Sequence, residues 1–187
     1  MQYSKDKLIE QIEQGQEFDY LLFYGHKASE DGTVIASCLS QWFPADFEID
    51  GIKYPTAEHF MMAEKARLFD DSDMLNNILS CKTPKEAKAF GRKVRNFDDA
   101  IWREHCSKIV VKANLAKFST HPEFAAFLVA TAPKVIVEAS IWDRIWGIGM
   151  TAQAPGAQDP RQWKGKNLLG FALMEVRDCL SNRQPGE

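Results

Sequence analysis

The chain has 187 residues, 45% hydrophobic and 26% charged, which is the make-up of one soluble domain with its own core. A formal net charge of -3 argues against a broad electrostatic footprint for duplex nucleic acid, and nothing approaches the roughly 18 continuous apolar residues of a membrane-spanning helix. Cys38, Cys81, Cys106 and Cys179 are scattered with no Cys-x-x-Cys pair, and the polar start Met1-Gln2-Tyr3-Ser4-Lys5-Asp6 lacks a secretory apolar segment, so reduced thiols filling a core in a cytoplasmic protein are the expectation.

Taken in chain order, residues 5 to 15 place Leu8, Ile9 and Ile12 on one face and read as a short peripheral helix ending near Gly15. Tyr20-Leu21-Leu22-Phe23-Tyr24, closed by Gly25, reads as a short buried strand. Alternating residues from Phe47 to Tyr54 flank Asp50-Gly51, a strong hairpin-turn signal.

The hairpin delivers the chain to its most informative stretch. Thr56 is a good N-cap and neither Gly nor Pro follows through Phe69, so a helix of about four turns is predicted. At about 3.6 residues per turn, Glu58, Met62, Lys65 and Phe69 share one stripe. An acid and an amine beside two large apolar side chains point either to a pocket wall or to a solvated pair at the edge of the core. The helix dipole and Lys65 both favour an ionised Glu58.

Thr83-Pro84-Lys85-Glu86 carries a capping box and predicts a helix to about Val94. Lys85, Lys88, Arg92 and Arg95 would line one face of it, either as a solvated basic face or as a phosphate site with Arg92 beside the small Gly91. A long helix is expected from Ala100 to Phe118, another from His121 to about Thr131 stopped by Pro133, and a short strand over Val135 to Glu138, giving a mixed sheet.

In Ile141-Trp142-Asp143-Arg144-Ile145-Trp146-Gly147-Ile148-Gly149 an acid sits between two indoles, and the glycines allow a turn or close approach to a ligand. Thr151 to Trp163 reads as a mobile cover or rim, not a packed connection. Lys164-Gly165-Lys166-Asn167 leads into a last helix, Leu168 to Leu180, with Leu169, Ala172, Leu173, Val176 and Leu180 inward. Its Gly-Lys pair lacks the spacing and following Ser or Thr of a P-loop. No metal-ligand cluster or nucleophile elbow is visible, which leaves carboxylate and amine chemistry and implies neither metal nor cofactor.

Together these residues resemble the NADAR family, typified by YbiA-like N-glycosidases. The resemblance is carried by Phe23-Tyr24, Tyr54-Pro55-Thr56-Ala57-Glu58-His59, Ala63-Glu64-Lys65, Gly91-Arg92, Ala116-Lys117-Phe118, Asp143 with Trp146-Gly147-Ile148-Gly149, and Gly165-Lys166-Asn167-Leu168-Leu169-Gly170. It implies an α+β fold, a mostly helical single domain with a small sheet, over residues 20–181, after an N-terminal extension 1–19 and before a tail 182–187. Lys27 to Leu39 is a long variable insert expected near the pocket mouth.

The activity implied is cleavage of the C1'–N bond of a phosphorylated ribosylamine, such as the ribosylamino-pyrimidine intermediates of riboflavin biosynthesis. Release of ADP-ribose from modified guanine in nucleic acid and non-catalytic binding of ADP-ribose are the alternatives. Bond breaking builds positive charge at C1', so an anion is required nearby. Glu58 and Asp143 are the candidate anions, while Lys65 serves either as a cation or as an amine that forms an imine with the opened ribose. Trp42 and Trp146 are expected to stack on the base beside Gly147, with Arg92, Lys166 and Asn167 anchoring phosphate or ribose.

Overall fold

The computed structural model describes residues 2–182, so residues 183–187 of the expected tail lie outside the described residues. In chain order the elements are α1 (Lys5–Glu13), β1 (Tyr20–Phe23), a short 3-10 turn (Ala36–Leu39), β2 (Phe47–Ile49), β3 (Ile52–Tyr54), α2 (Ala57–Leu68), α3 (Ser72–Ser80), α4 (Pro84–Gly91), α5 (Asp99–Thr120), α6 (Pro122–Ala130), β4 (Val135–Glu138), a second 3-10 turn (Pro160–Gln162) and α7 (Leu168–Ser181). The fold is α+β, mostly helical with few strands. Its backbone gathers into two compact units, residues 41–121 and residues 1–40 with 122–187.

In the 41–121 unit the hairpin forms as its turn chemistry demands. Asp50 and Gly51 both take positive φ, 54° and 74°, and the strands pair antiparallel with Phe47 opposite Tyr54. Thr56 caps α2, its Oγ1 accepting from the His59 amide at 3.4 Å. Around α2 pack α3, α4 and α5, which is why eight of its twelve residues are buried and no wide solvent face remains. The close approach of α4 explains Gly91, since a Cβ there would lie 2.0 Å from Met62 Sδ.

The α3 helix is absent from the sequence reading, having a single buried residue, Ile78, to mark its core face. Its start is nonetheless well defined: Asp71 Oδ1 accepts from the Met74 amide at 3.2 Å. The basic row predicted along α4 is broken up, because that helix stops at Gly91 and not near Val94. Arg95 turns back, its backbone amide and Nε donating to Asp71 Oδ2 at 2.8 and 3.2 Å, and Nη2 to Asp71 Oδ1 at 2.7 Å. A second ion pair joins Arg95 to Asp73.

In the other unit β1 and β4 form a parallel pair, Tyr20 opposite Val135 and Phe23 opposite Glu138. Val135, Ile136 and Val137 are buried on both faces, as a parallel strand requires. One mixed sheet is therefore not formed among the described residues; there are two sheets of two strands each. The 132–138 edge that would invite another strand is met by Asn167, whose Nδ2 donates to the Ile136 carbonyl at 2.9 Å and whose Oδ1 accepts from the Glu138 amide at 3.0 Å.

The segment Thr151–Trp163 is anchored at three buried positions and largely exposed between them. Ala157, Pro160 and Trp163 are buried, and Trp163 Nε1 donates to the Ala157 carbonyl at 2.8 Å. All four cysteines are free, but core filling describes only Cys38 and Cys106; Cys179 is exposed on the outer side of α7. No helix among the described residues is long and apolar enough to cross a membrane.

Glycine positions test this packing. Gly91→Ala should destabilise by about 1–3 kcal/mol, because the Met62 thioether can swing aside. Gly170→Ala should cost more, since its Cβ would meet the rigid Ile136 carbonyl at 2.0 Å; urea midpoints of the two variants in the reverse order would contradict that packing.

Candidate active site

Glu58 lies in the first turn of α2 and is 3% exposed. Its backbone amide donates to the Gln41 carbonyl at 3.0 Å. The Gln41 side chain in turn accepts, through Oε1, from Asn114 Nδ2 at 2.7 Å. Asn114 stands three residues, just under one turn, before Lys117 on α5, and both are fully buried. An acid, two amides and an amine are thus withdrawn from water in one unit, an arrangement whose desolvation cost is generally accepted where groups pair or work on a ligand.

Gln41, Asn114 and Lys117 were not singled out as site residues from sequence. The pattern that could have found Asn114 and Lys117 is the α5 core stripe Val110, Ala113, Asn114, Lys117 and Phe118, in which two polar residues occupy inward positions. The Lys117 ammonium lies 5.7 Å from the Phe43 ring centroid and 5.2 Å from that of Phe118.

His59 is a further buried polar group, 2% exposed. Its Nδ1 is 2.8 Å from Thr56 Oγ1, which also accepts from the His59 amide. Burial pushes its pKa down, which favours the neutral ring.

Lys65 shares the stripe with Glu58, as predicted, but its amine goes elsewhere. Seven residues of helix separate the two by about 10 Å, and Nζ sits 4.0 Å from the Phe97 ring centroid and 5.7 Å from that of Trp102. It makes no ion pair among the described residues. Burial lowers its pKa. Trp42 is half-buried with the Lys88 amine 5.7 Å from its ring centroid, whereas Arg92 caps the end of α4 and is exposed. Trp42, Glu58, Lys65 and Arg92 all belong to the 41–121 unit.

Asp143, Trp146, Gly147, Lys166 and Asn167 belong to the other unit. Asp143 Oδ1 accepts from the amides of Ile145 at 2.9 Å and Trp146 at 2.7 Å, closing a turn. Carbonyls of that turn then cap α7: Gly147 O accepts from the Asn167 amide, Ile145 O from Leu168 and Trp146 O from Leu169, at 3.1 to 3.2 Å. Gly147 is small because a Cβ would stand 2.8 Å from the Glu138 carbonyl. Packing inside this unit therefore explains that glycine, and both ends of the Asn167 amide are committed to β4. Lys166 is exposed, Trp146 half-buried and Trp142, which the sequence reading left off its site, is 82% exposed.

Among the described residues no three His, Cys, Asp or Glu side chains gather as a metal site. The buried polar side chains gathered around Glu58 are two amides and an amine.

The Asp71 carboxyl, hydrogen-bonded by the Arg95 side chain and amide, is held well below the usual carboxylate range. A depressed folded-state pKa stabilises above the unfolded value, about 3.9, and that stability is lost as pH falls below it. Arg95→Ala should therefore lower the urea midpoint at neutral pH and flatten its decline between about pH 5 and 3; an unchanged acid limb would remove Asp71 from that role.

Comparison with known proteins gives a consistent outcome. A family model described as NADAR domain matches residues 22–181. The chain is 42% identical over 164 residues to "N-glycosidase R617" of Acanthamoeba polyphaga mimivirus, covering 85% of this chain and 95% of that one. It is 34% identical over 134 residues to "N-glycosidase YbiA" of Escherichia coli (strain K12), 72% of this chain and 75% of the other. The NMR structure of E. coli YbiA superposes with a TM-score of 0.70 at 29% identity, over 92% of this chain and 91% of that chain. A further relative, "Riboflavin biosynthesis protein PYRR, chloroplastic" of Zea mays, is 33% identical over 143 residues, 73% of this chain but 21% of that protein.

Proposed function

This chain belongs to the NADAR domain family, and on that premise we propose that its N-glycosidase activity is directed at the C1'–N bond of a phosphorylated ribosylamine of the riboflavin pathway. The observation that carries the reading is the buried Glu58 on α2, linked through Gln41 to Asn114 one turn from the buried Lys117. The name of the Zea mays relative supports the choice of pathway.

Hydrolysis breaks the C1'–N bond and forms a C1'–O bond with water. One water proton ends on the departing amine and the other stays on the new sugar hydroxyl. The carbon passes through a cationic state, and a carboxylate in a dry site stabilises that charge more than one in bulk water. Glu58 fills this role from the first turn of α2, where the helix dipole favours a negative charge. An amine nearby has two uses: as a cation it holds a phosphate, and as a nucleophile it forms an imine with the opened sugar, later hydrolysed by water. Lys65, whose pKa burial lowers, and Lys117 are the amines available in the same unit.

Glu58→Gln preserves shape and removes the charge. It should lower kcat by about 100-fold or more with a smaller change in KM, followed as release of free ribose phosphate by mass spectrometry. An unaltered kcat would end the role assigned to Glu58. Borohydride added during turnover should trap a protein–sugar adduct if an imine forms. Loss of trapping in Lys65→Ala or in Lys117→Ala identifies the amine, and turnover without any adduct assigns both amines to electrostatics. Release of ADP-ribose from modified guanine, with no turnover of ribosylamines, would replace the riboflavin reading by the nucleic-acid one.

A further inference from the structure

A cavity of about 460 Å³ opens within the unit formed by residues 1–40 and 122–187. None of its lining residues comes from α2, from the Asp143 turn or from any other part of the candidate active site. One wall is α1 with the preceding Gln2-Tyr3-Ser4, which lies outside the residues 22–181 matched by the family model. The opposite wall is α7, and the 132–135 segment closes the end.

The lining is amphiphilic: Leu8, Phe18, Val135, Phe171 and Met174 give it an apolar side, and Lys7, Gln11, Asp178 and Ser181 a polar one. Against it stands one buried charge. Arg177, 5% exposed, lines the cavity and uses Nη1 to hold the turn before β4, donating to Thr131 Oγ1 at 3.0 Å and to the Lys134 carbonyl at 2.8 Å. That consumes both Nη1 protons. A guanidinium has five N–H donors, so three remain on Nε and Nη2. Among the described residues these meet no acceptor, and no carboxylate forms an ion pair with Arg177. Its neighbour Asp178 is turned to Tyr3, whose hydroxyl donates to Oδ2 at 2.6 Å.

Burial disfavours the charged form of Arg177. A guanidinium nevertheless stays protonated, so its remaining fork offers donors at the cavity that no protein acceptor takes. The size is that of a small-molecule site, and an apolar side with a few convergent polar groups is the usual composition of such sites. Lys7, at the cavity's exposed wall, adds a second positive charge.

We propose that this cavity binds a small amphiphilic carboxylate, its apolar body against Leu8, Phe18, Phe171 and Met174 and its two oxygens on Nε and Nη2 of Arg177. A carboxylate fits the fork in bidentate fashion. A phosphate dianion is less favoured because Asp178, also on the lining, repels two negative charges more than the one of a carboxylate, and a bare ion leaves the apolar side of the cavity unused.

The test titrates the full chain with octanoate, octanol and inorganic phosphate, using calorimetry and amide chemical shifts. Octanoate should saturate at one site with shifts at Leu8, Phe18, Phe171 and Arg177, and octanol and phosphate should each bind at least about tenfold more weakly. Arg177→Lys keeps the charge but loses the fork and should weaken octanoate by about tenfold. Because Arg177 also anchors the Thr131 turn, the exposed Lys7→Glu serves as a second variant and should weaken octanoate by about three- to tenfold while leaving octanol unchanged. Equal binding of octanol, tighter binding of phosphate, shifts confined to other regions, no saturation, or an unaltered octanoate affinity in Lys7→Glu would each overturn the proposal.

Discussion

The 41–121 unit depends on enclosing α2 on nearly every side while that helix carries ionisable groups. Three neighbouring helices leave its first two turns almost no water, so the polar groups there turn to protein partners where they can. The enclosure is possible because the contacts are narrow: Ala57, Ala63 and Ala66 are fully buried, and Gly91 lets α4 come within reach of Met62. Thr56 serves the His59 ring and amide, and the Gln41 carbonyl accepts the Glu58 amide. A surface carboxylate on an ordinary amphipathic helix would have none of these constraints and little chemical leverage.

In the second unit a similar economy fixes a loop. The N-terminus of α7 would present unsatisfied amides, and the carbonyls of residues 145–147 meet them. Asp143 shapes the same turn from its start, and Asn167 takes the open edge of β4. The loop is therefore held at both ends by hydrogen bonds to regular elements, so the exposed Trp142 and half-buried Trp146 project from a braced backbone. The residue types that looked like ligand contacts in this stretch, a carboxylate, a glycine and an amide, also have backbone duties.

Charges illustrate how burial and partners separate function from support. Arg95 and Arg92 are three apart, look equivalent in sequence and are both exposed, yet Arg95 is tied to Asp71 and Asp73 and Arg92 forms no ion pair among the described residues. Lys65 and Lys117 are both amines on core-facing helices. One is half-buried against the Phe97 and Trp102 rings, the other is fully enclosed. In each case helix periodicity was insufficient, because it gives a direction from the helix axis but not what stands there.

By itself the sequence determined the features set by neighbours a few residues apart. The Thr56 and Thr83 caps, the Asp50-Gly51 hairpin, the long α5 and the family motifs are of this kind, because a cap or tight turn is closed by hydrogen bonds within about four residues. The tertiary structure alone decided which polar groups would be sealed in and by whom. Arg95 meets a carboxylate 24 positions earlier, Asn114 an amide 73 positions earlier and Asn167 a strand 29 positions earlier. Those pairings arise from packed helices and strands, and no local pattern encodes the distance across a core.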